Sequence, residues 1–160
     1  MGKYEGSKET KRALAAYTNL VRATESIVGL LTQQLDSFGL TMGQFRVLEA
    51  LFHLGPMSQS GLCEKIMCSD GNMTFLIRKL VGQGLILRQT LERDKRSWTI
   101  HLTPEGQRLI AKVFPQHARV IRARMAALKN REQETLRRLC RKLGYGNPIR
   151  FLKELVIVEE

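Results

Sequence analysis

The stretch from Met57 to Pro104, MSQSGLCEKIMCSDGNMTFLIRKLVGQGLILRQTLERDKRSWTIHLTP, constrains the fold more than any other part of the chain. Ser58 opens a short apolar-periodic run with Leu62 and Ile66 facing one way. Ser69 opens a second, because its side-chain oxygen is suited to accept from an amide of a first helical turn. Cys68 before it and Met73 four residues into the helix match a hydrophobic staple. Met73, Leu76, Ile77 and Leu80 then recur at helical spacing, and Gly82-Gln83-Gly84 supplies the stop. Two strand-like runs follow, residues 86–91 and 97–102. In the second, Trp98, Ile100 and Leu102 alternate with Thr99 and His101, which predicts one buried face. Between the runs lies ERDKR, residues 92–96, too polar for a core. The pattern is a helix, a turn, a second helix and a charged β-hairpin.

The flanks are helical. Across residues 9–38 apolar side chains fall at Leu14, Tyr17, Leu20, Val21, Ile27, Val28, Leu31, Leu35 and Phe38. A helix this long outruns one small domain, so its stripe is expected to pack partly on a second chain. Gly39 ends it. Thr41 and Gln44 make a capping-box pattern for a helix carrying Phe45, Val47, Leu48, Leu51 and Phe52 and stopping at Leu54-Gly55-Pro56. Thr103-Pro104-Glu105 is a strong helix start, for a helix predicted to reach about residue 129 with a kink at Pro115. Residues 131–143 predict another, with Leu136, Leu139, Cys140 and Leu143 on one side. Asn147-Pro148 starts a final short helix carrying Ile149, Phe151, Leu152 and Leu155. The expected fold is mainly α with a small β-hairpin wing. It divides into an N-terminal dimerisation helix (1–40), a winged helix-turn-helix lobe (41–103) and C-terminal dimerisation helices (104–160).

Charge narrows the partners. Against 15 Asp and Glu stand 26 Lys and Arg, a net charge of +11. Such an excess favours a polyanion, since neutralising phosphates releases condensed counterions. A helix pair followed by a basic ribbon is an arrangement that reads duplex DNA, one helix in the major groove and the ribbon tip on the neighbouring backbone. No apolar run reaches the roughly 20 residues needed to span a bilayer, and MGKYEGSKETKR has no apolar core of a secretory signal. A cytoplasmic chain without membrane contact is expected. The three cysteines, Cys63, Cys68 and Cys140, are too few and too irregular for a disulfide framework or a zinc site. His53, His101 and His117 show no metal-binding spacing. With no phosphate loop, nucleophile elbow or carboxylate pair, neither an enzyme nor a cofactor is expected.

The layout resembles the MarR family of dimeric winged-helix transcriptional regulators. The likeness is carried by FRVLEAL (residues 45–51), by LxxxGLILR (80–88), by the wing RDKR (93–96) and by LTPEG (102–106). It spans about residues 10–145. The resemblance implies a homodimer built by intertwined chain ends, repressing transcription at a pseudo-palindromic operator. It also implies a small aromatic or anionic effector held where the first two helices meet the helix that starts at Thr103. The residues here that suit such a pocket are Tyr17, Phe45, Arg46, His53 and His117, aromatic walls with cationic or polar tips.

For DNA the candidate contacts are Ser69, Asp70, Asn72, Thr74, Phe75 and Arg78 on the second helix, with Arg93, Lys95 and Arg96 on the wing. Helical geometry points Gly71, Phe75 and Arg78 outward, with Asn72 and Thr74 flanking. Where family members often carry Arg or Lys, this chain has Asp70 and Phe75. Asp70 suits either a cytosine amino group or pairing with the helix dipole. Phe75 suits either a thymine methyl or a slightly rotated core. Arg96 is the wing residue suited to the minor groove, with Arg93 and Lys95 on phosphates and Asp94 tying the ribbon. Two alternatives stay open: a sequence-tolerant architectural DNA binder, and a thiol-based redox regulator using Cys68, with Cys63 and Cys140 on apolar faces where thiols are inert.

Overall fold

The computed structural model describes residues 5–91 and 94–145; the side chains of residues 90–97 and 145 lie outside that description. Up to Ile121 the described chain forms one compact unit, and from Arg122 a second.

The first unit opens with α1, Lys8–Asp36, capped by the Ser7 hydroxyl on the Thr10 amide. Its 29 residues would span about 43 Å at 1.5 Å per residue. Of the predicted stripe, Leu31 and Leu35 are buried, while Leu14, Tyr17 and Val28 are exposed, as is Leu30 outside the stripe. The helix therefore joins the core through its C-terminal end, as its length implied. The turn at Gly39, with φ at +66°, leads to α2, Met42–Leu54. The predicted capping box is complete. The Thr41 amide donates to Gln44 Oε1 at 2.9 Å, and the Gln44 amide donates to Thr41 Oγ1 at 3.3 Å.

Helix α3, Gln59–Ile66, and helix α4, Asp70–Gly82, form the helix-turn-helix. Met73, Leu76, Ile77 and Leu80 are the buried residues of α4, as the periodicity predicted. They join Leu35, Phe45, Leu48, Leu62, Ile100, Ile110 and Val113 in one apolar cluster. Strands β2, Ile86–Leu91, and β3, Asp94–Leu102, pair antiparallel with an irregularity at Thr90/Leu91.

The sheet has a third member that the periodicity did not reveal. Strand β1, Met57–Ser58, pairs with Ile100 and Thr99 of β3, giving the order β1-β3-β2. Two residues are too short for an alternation signal, and Ser58 was accounted for as the cap of α3. The single buried face predicted for β3 also needs correction. Ile100 is buried, but Trp98 is 52% exposed. Both project from the same face, and the core ends before it reaches Trp98.

Helix α5, Pro104–Met125, starts as predicted and runs through Pro115, but stops short of residue 129. Its first turn explains the glycine of LTPEG. Thr103 Oγ1 accepts from the Gly106 amide at 3.0 Å and donates to the Gly84 carbonyl at 2.7 Å. A Cβ at position 106 would collide with the Leu85 carbonyl oxygen. The helix thus abuts the backbone that leads into β2, and no side chain fits between them.

The second unit contains the end of α5 and α6, Asn130–Tyr145. Gln133 Nε2 donates to the carbonyls of Met125 and Leu128, both at 3.0 Å, which closes the turn between the helices. Leu136, Leu139 and Leu143 fall on one side as predicted, and all three are exposed. Cys140, expected on an apolar face, is exposed as well. The helix predicted from Asn147-Pro148 onward lies outside the described residues. Among the described residues no helix is long and apolar enough to cross a membrane.

Candidate nucleic-acid interface

Helix α4 places most of the candidate contacts on one outward face. Ser69 caps it, accepting from the Asn72 amide at 3.4 Å. Asp70, Asn72, Phe75, Arg78 and Lys79 are exposed. Phe75 is 53% exposed, so the rotated-helix reading that would bury it does not apply. Lys79 Nζ lies 5.7 Å from the Phe75 ring centroid, a cation over an aromatic face. The outward surface therefore combines a flat apolar plate with two cations.

Thr74 differs from its neighbours. It is half-buried, and its hydroxyl donates to the Asp70 carbonyl at 2.9 Å while accepting from Gln59 Nε2 at 2.9 Å. The first bond stays within α4 and the second crosses to α3, so Thr74 acts first as the clasp between the start of α3 and α4. Asp70 is engaged too. The Cys63 thiol donates to Asp70 Oδ1 at 3.2 Å. Sequence reasoning missed Gln59 and Cys63 because their partnerships cross from α3 to α4; the Lys79–Phe75 pair, four residues apart on one helix, was legible from helical spacing.

At the other end of α4, Gln44 Nε2 donates to Gln83 Oε1 at 2.8 Å, tying α2 to the stop of the recognition helix. Both ends of the reading helix are thus held by side-chain bonds to other elements. That rigidity suits base reading, where small displacements lose contacts. In the wing, Arg93 lies outside the described residues, as do the side chains of Asp94, Lys95 and Arg96; the backbone of the last three belongs to β3.

The five residues predicted to share an effector pocket separate. Phe45 and His117 are buried together, ring centroids 4.1 Å apart, with His117 Nδ1 3.2 Å from Gln34 Oε1. Burial lowers the His117 pKa below its usual value. Gln34 Nε2 is buried and has no hydrogen-bond partner among the described residues. Arg46 and His53 point from another side of α2 into a groove of about 440 Å³, which Lys65, Ile66 and Met67 close from the α3 side. His53 meets Phe52 and Phe114 edge-on at 5.1 and 4.5 Å. Glu49 lines the same groove; burial raises its pKa, with His53 and Arg46 partly opposing. Tyr17 is 66% exposed and belongs to neither group.

A winged helix-turn-helix with both ends of its reading helix anchored defines the class. The comparisons then give the family. The MarR family model matches residues 40–98. The HTH-type transcriptional regulator YkoM of Bacillus subtilis (strain 168) is 31% identical over 137 residues, 86% of this chain and 89% of that protein. The chain belongs to the MarR family of DNA-binding transcriptional regulators. Two solved structures share the fold. A mutant of MarR from E.coli complexed with operator DNA superposes with a TM-score of 0.75 at 21% identity, covering 86% of this chain and 99% of that one. Bordetella bronchiseptica BpsR, described with regulation of its DNA binding by 6-hydroxynicotinic acid, gives 0.74 at 24% identity, covering 81% and 98%.

Proposed function

We propose that the chain acts as a homodimeric repressor that reads a pseudo-palindromic operator and releases it when a small aromatic or anionic effector binds. The observation that carries the reading is the outward face of α4, where Asp70, Asn72, Phe75 and Arg78 are exposed on a helix held at both ends. Residues 41–103 form the DNA-reading lobe, residues 1–40 and 104–160 the dimerisation regions, and the protein works in the cytoplasm. The exposed apolar residues of α1 and α6 support the dimer, because a soluble protomer gains by covering them. Two-fold symmetry then presents two α4 helices to major grooves one helical turn apart. In the wing, Arg96 enters the minor groove, Arg93 and Lys95 neutralise phosphates and Asp94 orients the ribbon.

Two features support an effector. The Gln34 amide nitrogen, on the side chain that meets His117, has no acceptor among the described residues, and a ligand carboxylate or carbonyl would supply one. The groove sets the cations Arg46 and Lys65, with His53 and Glu49, beside the apolar Leu54 and Ile66. An effector that prefers a lobe spacing unable to match two grooves must weaken DNA binding by its differential affinity.

Selection of bound sequences from random duplexes at stated salt tests the DNA reading. A single short palindrome should emerge. Arg96→Ala should then weaken binding to it by roughly 1–3 kcal/mol, and Lys95→Ala should make the salt dependence shallower. Equal retention of all duplexes would replace this reading with a sequence-tolerant binder.

A further inference from the structure

The end of α3 brings two cysteines together beside the start of the recognition helix. Met67, 90% exposed, takes the left-handed conformation (φ 52°, ψ 56°), and the Cys68 amide donates to the Cys63 carbonyl at 3.2 Å. This is a Schellman ending, which sets the side chain three residues before the helix end against the second one beyond it. In most helices both are apolar. Here both are cysteine, and the neighbouring Cys68 is among the causes that raise the Cys63 pKa. Neither is sealed in the core, and each is partly exposed. Cys63 also donates to Asp70 Oδ1 at 3.2 Å, so the pair is wired to the first residue of α4.

We propose that Cys63 and Cys68 form a dithiol modification site, which two-electron oxidants such as peroxides close into an intrachain disulfide, and that Asp70 transmits the change to the recognition helix. The effect on DNA rests on the reading proposed above; the thiol chemistry does not.

The steps balance. The Cys68 thiolate attacks the peroxide, forming an S–O bond as the O–O bond breaks, and the departing hydroxide takes up the thiol proton as water. The Cys63 sulfur then attacks the sulfenic sulfur. The S–S bond forms, the S–O bond breaks, and the Cys63 proton passes through the Asp70 carboxylate to the departing hydroxide. Two thiols are oxidised by two electrons, and one peroxide is reduced to two waters. Burial, the Asp70 bond and the neighbouring Cys68 push the Cys63 thiol up to about 12, which assigns it the second, proton-coupled step rather than the first attack.

The disulfide carries no S–H, so Asp70 loses its donor at the helix start. Closure also draws on the segment from Met67 to Ser69, which bears the cap of α4. Both changes displace the end of the reading helix.

The test uses the full chain, hydrogen peroxide, peptide mapping by mass spectrometry without reductant, and anisotropy titration of the selected operator. Peroxide should join Cys63 to Cys68 within one chain and weaken operator binding on the order of tenfold, with dithiothreitol restoring both. Cys63→Ser, which keeps a hydroxyl donor for Asp70, and Cys68→Ser should bind like the reduced wild type and ignore peroxide. In Asp70→Asn the Cys68 sulfenic acid should accumulate, because the second step loses its proton acceptor. Oxidation confined to Cys140, stable sulfenic or sulfinic acid in the wild type, or a Cys63–Cys68 disulfide that leaves operator affinity unchanged would each overturn the proposal. A reduced protein that binds no duplex would instead overturn the DNA reading, since the mapping is scored on protein alone.

Discussion

Helices α4 and α6 carry apolar stripes of similar spacing and meet different fates. On α4, Met73, Leu76, Ile77 and Leu80 are all buried, and the outward face is left for polar and aromatic side chains. On α6, Leu136, Leu139 and Leu143 stay exposed, Leu139 at 52%. The lesson is that a helical period specifies a face without specifying its partner. The α4 stripe is completed by neighbours close in sequence, from α2, α3 and the sheet. The α6 stripe is incomplete in the described chain, and our reading assigns its cover to a second copy.

That contrast can be broken in four ways. The largest effect should come from the core side. Leu80→Ala leaves a cavity inside a closed cluster and should cost roughly 2–5 kcal/mol in urea unfolding. A cost under about 1 kcal/mol would mean that α4 is not held by its stripe.

The corresponding change on α6 should act on assembly. Glutamate at 136, 139 and 143 should raise the dimer dissociation constant at least about a hundredfold, while α-helical content measured by circular dichroism stays close to wild type. Light scattering of the wild type decides the premise, and a monodisperse monomer at micromolar concentration refutes it.

The third test addresses the outward face of α4. Arg78→Ala should weaken operator binding by roughly 1–3 kcal/mol through lost base or phosphate pairing. Thr74→Ala should cost about 0.5–1.5 kcal/mol, acting through release of Gln59. Phe75→Arg should change the preferred base at one operator position. If every base preference survives that substitution, the aromatic plate makes no contact with DNA.

The smallest effect is a pH dependence in the first unit. His117 is buried against Phe45 and its pKa is lowered, so the unfolded chain takes up this proton before the folded one does. Its stabilising contribution is present above the usual histidine value of 6.5 and is lost as pH falls below it, towards the lowered value. His117→Phe keeps the ring contact and should flatten that part of the stability curve between pH 7.5 and 5.5 (about one unit either side of the ordinary value). Glu49, whose pKa is raised, contributes in the opposite sense at lower pH and remains in both proteins. The difference between the two curves therefore isolates His117.

Much of this architecture is legible in the chain itself. Caps and stops are local: Thr41 with Gln44, Ser58, Ser69 and Thr103 each accept from an amide three residues ahead, as their residue types required. Apolar periodicity fixed the buried face of α4 for the same reason, since turns of one helix decide which side chains share a side. Tertiary structure decided what depends on elements distant in sequence. Pairing with Ile100 made Met57 and Ser58 a strand, and the reach of the core left Trp98 outside. The residues expected to share one pocket divide into a buried Phe45–His117 pair and an open groove at Arg46 and His53, because Phe45 turns into the core while Arg46 and His53 sit at the surface of α2 beside Lys65, Ile66 and Met67. The bond from Cys63 to Asp70 spans a helix ending and a helix start, and a one-dimensional pattern carries neither the left-handed turn at Met67 nor the approach of the two side chains. Sequence sets local hydrogen bonding and facing. Through-space proximity, which gives a polar group its partner, arises when those local pieces pack.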